Sequence, residues 1–303
     1  MAWIKRIGLF LLLNFLVVTM LSVVVNVFNL RPYINSSLGL DYRALLVWCA
    51  VWGMGGALIS LALSRKMAKW MLGVKVIEEG HASPEEARLM ATVRTLADEA
   101  GLETMPEVGI FHSNEPNAFA TGPTQKRSLI AVSTGLLNRL SPDEVKGVLG
   151  HEMAHIVNGD MVTMTLLQGV VNAFVMFLAR VLASILSGFG RNRDGERGSY
   201  GSFILFTYLF EVVFMLLGSL VIFAYSRYRE YRADAGGAHL AGKRNMIGAL
   251  KALMSYKQAP DPRTEQTAVA AFKIFRPAKK GFIHWFSSHP PLEERIARLE
   301  NLD

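Results

Sequence analysis

The residues best suited to chemistry lie in the segment 151–155, which reads HEMAH. Side chains four residues apart share one face of a helix, so His151 and His155 present two imidazoles to the same point. Two neutral imidazoles in this arrangement are typical ligands of a borderline divalent ion, above all zinc. Glu152 lies beside that point and is placed to take a proton from a metal-bound water. The segment therefore predicts a hydrolytic zinc site with Glu152 as its base.

A catalytic zinc ion usually takes three protein ligands, so a third ligand is expected elsewhere in the chain. The candidate is Glu230, within residues 229–234 (REYRAD). Asp234 lies one helical turn further on the same face, placed to accept the outer N–H of a zinc-bound histidine and so fix its tautomer. A solvated charge cluster is the competing interpretation, because arginines flank Glu230. The two motifs together favour one zinc ion per chain, held by His151, His155 and Glu230.

The helix that carries the two histidines has clear start and stop signals. Residues 141–144 (SPDE) form a capping box with proline at the first helical position, and Asn158-Gly159 is typical of a helix end. Upstream, residues 83–86 (SPEE) predict a second helix that stops at Gly101. Between the two we expect strands at 107–113, around Phe119 and at 129–132, followed by a short helix near Leu136. This order predicts a small mixed α/β metallopeptidase domain.

Four apolar stretches account for a hydrophobic content of 51%, which is high for a soluble chain of 303 residues. Each stretch is long enough to cross a hydrocarbon core of about 30 Å as a helix. The first is too long for the apolar part of a secretory signal and has no small-residue cleavage site after it, so we expect it to stay in the protein. The last two contain polar residues, so they either span the membrane or pack as buried or re-entrant helices. The four stretches are 7–30, 44–64, 162–187 and 203–225.

The formal net charge of +7 does not indicate nucleic-acid binding, because most of the cations flank the apolar stretches. Cytoplasmic segments of membrane proteins carry an excess of such residues near the span ends. The bias predicts a cytoplasmic N-terminus and catalytic part. The side with more cations has Lys5, Arg6, Arg65, Lys66, Lys69, Lys75, Arg227, Arg229 and Arg232; the other has Arg31, Arg43, Arg191, Arg193 and Arg197. Because the only cysteine, Cys49, lies within a span, no disulfide framework is expected.

The two apolar stretches that separate His155 from Glu230 restrict the topology. Both residues must reach one ion, so the chain between them crosses the membrane an even number of times. Glu230 lies about 8 Å past the end of the fourth stretch if its helix continues, which predicts a site at the membrane face. We therefore expect a transmembrane hairpin inserted into the catalytic domain. The predicted parts are an N-terminal transmembrane hairpin (1–66), the first part of the peptidase domain (67–161), the inserted hairpin (162–225) and the second part of the peptidase domain (226–303).

Two charged side chains inside the inserted hairpin must either pair or extend to the membrane interface, because isolated charges are costly in hydrocarbon. Arg180 lies seven residues before the end of the third stretch, and Glu211 lies eight residues into the fourth. An antiparallel hairpin places both at nearly the same depth, roughly 10–12 Å from its far edge. The spacing predicts an ion pair, and extension of the Arg180 side chain to the interface is the alternative.

Four segments together resemble the HtpX family of bacterial membrane metalloproteases: HEMAHIVNGDMVTMTLLQGVVN, NEPNAFATG, EYRADAGGA and SSHPPLEERI. This family is related to the CAAX prenyl proteases and to the mitochondrial stress-activated metalloprotease Oma. The likeness extends from the first span to the last helix. It implies an α-helical integral membrane protein with four transmembrane helices and a mainly α, α+β zincin-type (gluzincin) metallopeptidase domain.

The resemblance implies that His151, His155 and Glu230 bind zinc and that Glu152 is the catalytic base. It further implies cleavage of damaged or misfolded membrane proteins in the cell inner membrane, with the active site on the cytoplasmic side. The expected partners are membrane-protein substrates and the lipid bilayer, with other quality-control proteases as further candidates and no nucleic acid. Residues Asn117 to Gly122 resemble the edge strand along which an extended substrate pairs.

The oxyanion of the reaction needs a donor from the protein besides the metal. His289 is the candidate, with Arg295 in support; alternatively His289 is a turn residue before two prolines and Arg295 pairs with Glu230 or Asp234. A membrane scaffold without catalysis is disfavoured because Glu152 is present. A dedicated prenyl-protein protease needs more than four spans to enclose its substrate. The histidines without ligand spacing, expected to be surface or structural residues, are His81, His112, His239 and His284.

Overall fold

The computed structural model describes residues 42–189, 200–258 and 287–302, so the first predicted span lies outside the described residues. The chain divides into two compact units, Met1–Ser60 with Thr163–Ile222 and Leu61–Val162 with Phe223–Asp303. We call them the membrane unit and the catalytic unit. The helices are α1 (Tyr42–Met71), α2 (Pro84–Glu99), α3 (Thr134–Arg139), α4 (Pro142–Asn158), α5 (Asp160–Phe189), α6 (Tyr200–Ala241), α7 (Lys243–Gln258) and α8 (Leu292–Glu300). The strands are β1 (Lys75–Val76), β2 (Glu107–Phe111), β3 (Ala118–Thr124) and β4 (Arg127–Ser133).

Three helices among the described residues are long and apolar enough to cross a membrane, namely α1, α5 and α6. They contain the second, third and fourth apolar stretches of the sequence. In the membrane unit, α1 packs on α5 through buried side chains that include Leu46, Cys49 and Phe177. The approach is close at Gly53, where an added Cβ would lie 2.6 Å from the backbone nitrogen of Ala173. A glycine is required there because any side chain would separate the two helices.

The two charges of the membrane unit are paired. Arg180 Nη1 donates to Glu211 Oε1 at 2.7 Å and to the carbonyl of Met176 at 2.9 Å. The Arg180 guanidinium carbon also lies 4.8 Å from the ring centroid of Trp48. The predicted ion pair is therefore confirmed, and it links α5 to α6 and, through the aromatic ring, to α1.

The catalytic unit contains a four-stranded sheet with the strand order β1-β2-β4-β3. Strands β2 and β4 are parallel, whereas β1 and β3 pair antiparallel with their neighbours. Within the described part of the chain β3 has one strand neighbour, so it is an edge strand, as the resemblance implied for Asn117 to Gly122. The register shifts between Thr121 and Thr124, next to Gly122 at φ 146.

One face of this sheet packs on α2 and α4, and the shared core includes Val93, Leu96, Val132, Leu149 and Ile156, all inaccessible to solvent. Both helices begin as the sequence predicted. The capping boxes are formed, with the backbone of Glu86 donating to the Ser83 hydroxyl and that of Glu144 donating to the Ser141 hydroxyl. These boxes satisfy amides that the first helical turn leaves unpaired, which fixes where each helix starts.

Helices α5 and α6 extend beyond the apolar stretches that they contain. Gly159 adopts the left-handed conformation at φ 67, which ends α4 and lets α5 begin at the next residue, Asp160. Helix α6 is continuous for 42 residues, so residues well past the fourth apolar stretch stay helical. Glu230 and Asp234 lie on this continuation, in the catalytic unit.

Candidate metal centre

Helix α4 presents His151 and His155 on one face, as their spacing predicted. Both side chains are buried, and the rings meet edge to face with their centroids 4.7 Å apart. Their Nε2 atoms are 3.2 Å apart, so both nitrogens point to the same small volume. The helix is held in place by Leu149, Met153 and Ile156 on its opposite side, which belong to the core.

Helix α6 brings Glu230 to the same volume across a separation of 75 residues or more along the chain. Glu230 Oε2 lies 3.4 Å from His151 Nε2, and its Oε1 lies 3.4 Å from His155 Nε2. Its side chain is 1% exposed, which rules out the solvated charge cluster that the flanking arginines had suggested. The structure thus places all three predicted ligands around one point.

The three residues fit a zinc ion in chemistry and in spacing. A tetrahedral ion with bonds of about 2.0–2.1 Å holds its ligand atoms about 3.3 Å apart, close to the observed 3.2 and 3.4 Å. Both carboxylate oxygens of Glu230 are buried, and among the described residues the nitrogens that approach them within 3.4 Å belong to His151, His155 and His289. A buried carboxylate needs compensating donors or a cation, so Glu230 is suited to a metal ion. The group of His151, His155 and Glu230 is thus able to hold a metal ion.

The outer nitrogen of His151 is held by Asp234, in the position that the sequence predicted. His151 Nδ1 lies 3.0 Å from Asp234 Oδ1. The same carboxylate accepts two hydrogen bonds from Arg295, from Nε at 2.8 Å and from Nη2 at 2.6 Å. Burial disfavours the charged form of Arg295, but the two carboxylates beside it, Asp234 and Glu230, raise its pKa above the ordinary value. Arg295 is therefore a permanent cation, and it is committed to Asp234.

The outer nitrogen of His155 is held by Asp160, a residue that the sequence reasoning missed. His155 Nδ1 lies 2.6 Å from Asp160 Oδ2, and both side chains are buried. Burial lowers the pKa of His155, but Asp160 and then Glu230 outweigh it and raise the pKa to about 9. Metal binding must therefore displace a proton from this histidine. The available signal was an acidic first residue immediately after the helix-ending Gly159.

Glu152, the predicted base, lines the same cavity as the three predicted ligands. The cavity has a volume of about 140 Å³. Its polar lining includes His151, Glu152, Glu230 and Arg295. Its apolar lining is formed by Leu136, Val148, Met246, Ala249, Leu250 and Leu253, and Asn117 and Ala118, at the start of β3, also line it.

His289 lies at the open side of this cavity, with 60% of its side chain exposed. Its Nδ1 is 2.9 Å from Glu230 Oε2. The segment that carries His289 is anchored, because Arg227 Nη1 donates to the carbonyl of Ser287 and Tyr231 donates to Glu294. Of the histidines without ligand spacing, His81, His112 and His239 are exposed, and His284 lies outside the described residues.

Comparison with known proteins places the chain among membrane peptidases. Residues 83–303 match the family model described as Peptidase family M48. The chain is 49% identical over 302 residues to "Protease HtpX homolog" of Bacillus pumilus (strain SAFR-032), across 98% of this chain and 99% of that protein. It is 47% identical over 297 residues to "Protease HtpX" of Thioalkalivibrio sulfidiphilus (strain HL-EbGR7), across 98% of each.

A solved structure has a similar fold. The crystal structure of S. mikatae Ste24p superposes with a TM-score of 0.62 at 19% sequence identity, over 96% of this chain and 66% of that chain. At this identity the likeness concerns the fold.

Proposed function

We propose, from the premise that this chain belongs to peptidase family M48, that it is a zinc endopeptidase of the membrane with Glu152 as its catalytic base. Family membership and the identity to HtpX proteases make the chain a membrane-bound metalloprotease and confirm the resemblance seen in the sequence. The observation that carries the proposal is the convergence of His151, His155 and Glu230, whose facing atoms are separated by 3.2–3.4 Å.

The chemistry follows from the residue types around the cavity. His151, His155 and Glu230 would hold the ion. When bound, zinc supplies a Lewis acid that acidifies water and polarises a carbonyl oxygen. Glu152 accepts the proton of the attacking water and then donates it to the leaving amine. The side chains of His151, Glu152 and Glu230 line one cavity, and the remainder of that cavity is available to substrate.

The donor to the oxyanion is proposed to be His289 rather than Arg295. Arg295 is buried and already gives two hydrogen bonds to Asp234, so it is the less accessible of the two candidates. His289 lines the cavity from the exposed side and can reach a substrate oxygen. His289→Ala should lower kcat more than it raises KM, because the interaction forms only in the transition state. Equal kinetics for His289→Ala and the parent would leave His289 as a turn residue.

An extended polypeptide is the substrate shape that this cavity accepts. The edge strand β3 offers its outer side for backbone pairing, and its first residue, Ala118, lines the cavity. The apolar lining of Leu136, Leu250 and Leu253 then takes an apolar side chain next to the scissile bond. Such side chains are exposed in damaged or misfolded membrane proteins, which we propose as the substrates in a role in protein quality control.

We further propose that the protein is a multi-pass protein of the cell inner membrane, with four transmembrane helices and a gluzincin-type catalytic domain facing the cytoplasm. The distribution of cations near the span ends supports this orientation. The four predicted parts, 1–66, 67–161, 162–225 and 226–303, describe the hairpin insertion that this topology requires. Other quality-control proteases of the same membrane are proposed partners, and nucleic acid is not.

Side-specific labelling tests the topology. Single cysteines in residues 70–150 and after 240 should react with an impermeant reagent only from the cytoplasmic side, and those in 31–43 and 190–200 only from the other. Cys49→Ser serves as the background, since Cys49 is the only native cysteine. Labelling of 190–200 from the cytoplasm would show that 162–187 and 203–225 do not cross the membrane.

The function itself is tested with purified protein in detergent. Cleavage of an unfolded protein and of a misfolded membrane protein should require added zinc and should be lost in Glu152→Gln. Zinc binding without cleavage of either substrate would contradict the proposed endopeptidase and indicate a membrane scaffold.

A further inference from the structure

The two histidines of the metal centre are supported by carboxylates in different electrostatic settings. Asp234, which holds His151, also receives two hydrogen bonds from Arg295, so its charge is shared with a cation. Asp160, which holds His155, pairs with no arginine or lysine in the described part of the chain. The second oxygen of Asp160, Oδ1, is buried and has no hydrogen-bond partner among those residues.

This arrangement is costly for folding. Asp160 is 1% exposed, and a buried carboxylate with an unsatisfied oxygen loses hydration that a single contact does not replace. Its place as the first residue of α5 offsets part of the cost, because a helix N-terminus favours negative charge. Proteins retain buried carboxylates with an unsatisfied oxygen mainly at functional sites. The contact of Asp160 with His155 therefore indicates the role of this carboxylate.

The geometry points to Asp160 as a positioning residue for the metal ligand His155. By accepting the Nδ1 proton at 2.6 Å, Asp160 selects the tautomer whose Nε2 lone pair faces Glu230 and His151. Because no cation shares the charge of Asp160, it polarises His155 more strongly than Asp234 polarises His151. The left-handed turn at Gly159 ends α4 soon after His155, and Asp160 follows it directly. The inference rests on the proposed zinc site.

Two substitutions at this position separate the acceptor from the charge. Asp160→Ala removes both, whereas Asp160→Asn keeps an acceptor oxygen of nearly the same shape. We expect zinc affinity of the full-length protein, measured by competition with a chelator, to fall roughly 10–100-fold in Asp160→Ala and by less in Asp160→Asn. Asp98→Asn is the matched control, since Asp98 is exposed on α2, and it should bind zinc like the parent.

Thermal unfolding with and without zinc tells positioning from a purely structural role. Positioning predicts that the increase in melting temperature on adding zinc is smaller in both variants than in the parent, whatever the melting temperatures of the metal-free proteins. With cobalt in place of zinc, Asp160→Ala should also shift the visible absorption of the ion, and Asp98→Asn should not.

Three results would overturn the inference. Unchanged zinc affinity in both variants would show that His155 needs no support from Asp160. A parallel fall of both melting temperatures with the zinc increment kept, or failure of both variants to fold, would assign Asp160 a structural role. Failure of the parent itself to bind zinc would remove the proposed metal site, and this inference with it.

Discussion

The membrane unit and the catalytic unit each contain a pair between an arginine and a carboxylate, and the two pairs differ in what surrounds them. Arg180 and Glu211 meet through one contact of 2.7 Å, with side chains 21% and 26% exposed. Arg295 and Asp234 meet through two contacts of 2.8 and 2.6 Å, and their side chains are 8% and 3% exposed. The first pair joins two helices, whereas the second holds Asp234 in the position from which it contacts His151.

The difference shows that contact geometry and burial determine how rigidly a charge pair holds its side chains. Arg180 and Glu211 share a single hydrogen bond, so their pair joins two helices but does not orient a third group. A two-pronged contact inside the protein holds the Asp234 carboxylate rigid, so that it keeps its contact with His151. Removing one member of such a pair leaves the other charge buried and uncompensated, which is far more costly than losing an exposed contact.

The largest expected effect is at the metal centre that Arg295 and Asp234 support. His151→Ala, His155→Ala and Glu230→Ala should each lose both zinc and proteolysis, because two remaining ligands do not hold a catalytic ion. Glu152→Gln should abolish proteolysis yet keep zinc near one per chain, since glutamine cannot accept the proton. Zinc content by elemental analysis and cleavage of an unfolded protein are the measurements. Full zinc and full activity in Glu230→Ala would refute its assignment as third ligand.

The next effect concerns Arg295 itself. Arg295→Leu should cost about 3–5 kcal/mol of unfolding free energy, because it leaves the buried Asp234 without its arginine cation. It should also weaken zinc binding through His151. Arg295→Lys keeps a charge without the planar fork and should cost less. Chemical unfolding of the metal-free proteins gives the first quantity and chelator competition the second. An Arg295→Leu protein as stable as the parent would show that the pair contributes no more than an exposed one.

A smaller effect is expected at Arg180 and Glu211. Arg180→Leu and Glu211→Leu should each lower yield and thermal stability in detergent more than the double replacement does, because each single change strands a charge. The coupling should be on the order of 0.6–1.7 kcal/mol, as for polar contacts between membrane helices. Proteolysis per folded molecule should be unchanged, since neither residue lines the metal centre. Additive losses in the double variant would mean that the two residues stabilise the unit independently.

The smallest effect is expected at Trp48, whose ring lies 4.8 Å from the Arg180 guanidinium. Trp48→Leu should lower stability by about 0.5–1 kcal/mol through loss of the cation–π contact. Trp52→Leu is the matched control, because Trp52 contacts Trp48 on the same helix but has no such contact with Arg180. Thermal unfolding of the two variants should therefore differ. Equal losses would assign the effect to the tryptophan pair alone.

Much of the metal centre could be predicted because it depends on helical periodicity. His151 and His155 are one turn apart, as are Glu230 and Asp234, and a helix places such pairs on one face whatever surrounds it. The capping residues Ser83 and Ser141 likewise set helix starts through local hydrogen bonds. The partner of Arg180 was also predictable, since hydrocarbon admits few alternatives for a charge.

The partners Asp160 and Arg295 could not be chosen from the sequence. Asp160 follows a left-handed turn, and only the direction in which the chain leaves Gly159 decides whether its carboxylate reaches His155. Arg295 lies 61 residues from Asp234, and the sequence left it a choice among an oxyanion, Glu230 and Asp234. The structure shows the pairing with Asp234, and on the same helix Tyr231 donates to Glu294 of α8.

The sequence by itself determined the helices, the apolar stretches and the residue types of the candidate metal centre, since these follow from local hydrogen bonding, side-chain periodicity and transfer of apolar surface from water. Only the tertiary structure decided which carboxylate holds each histidine and how deeply each charge is buried. Those features are distances between segments far apart in the chain, and packing of the whole core sets them.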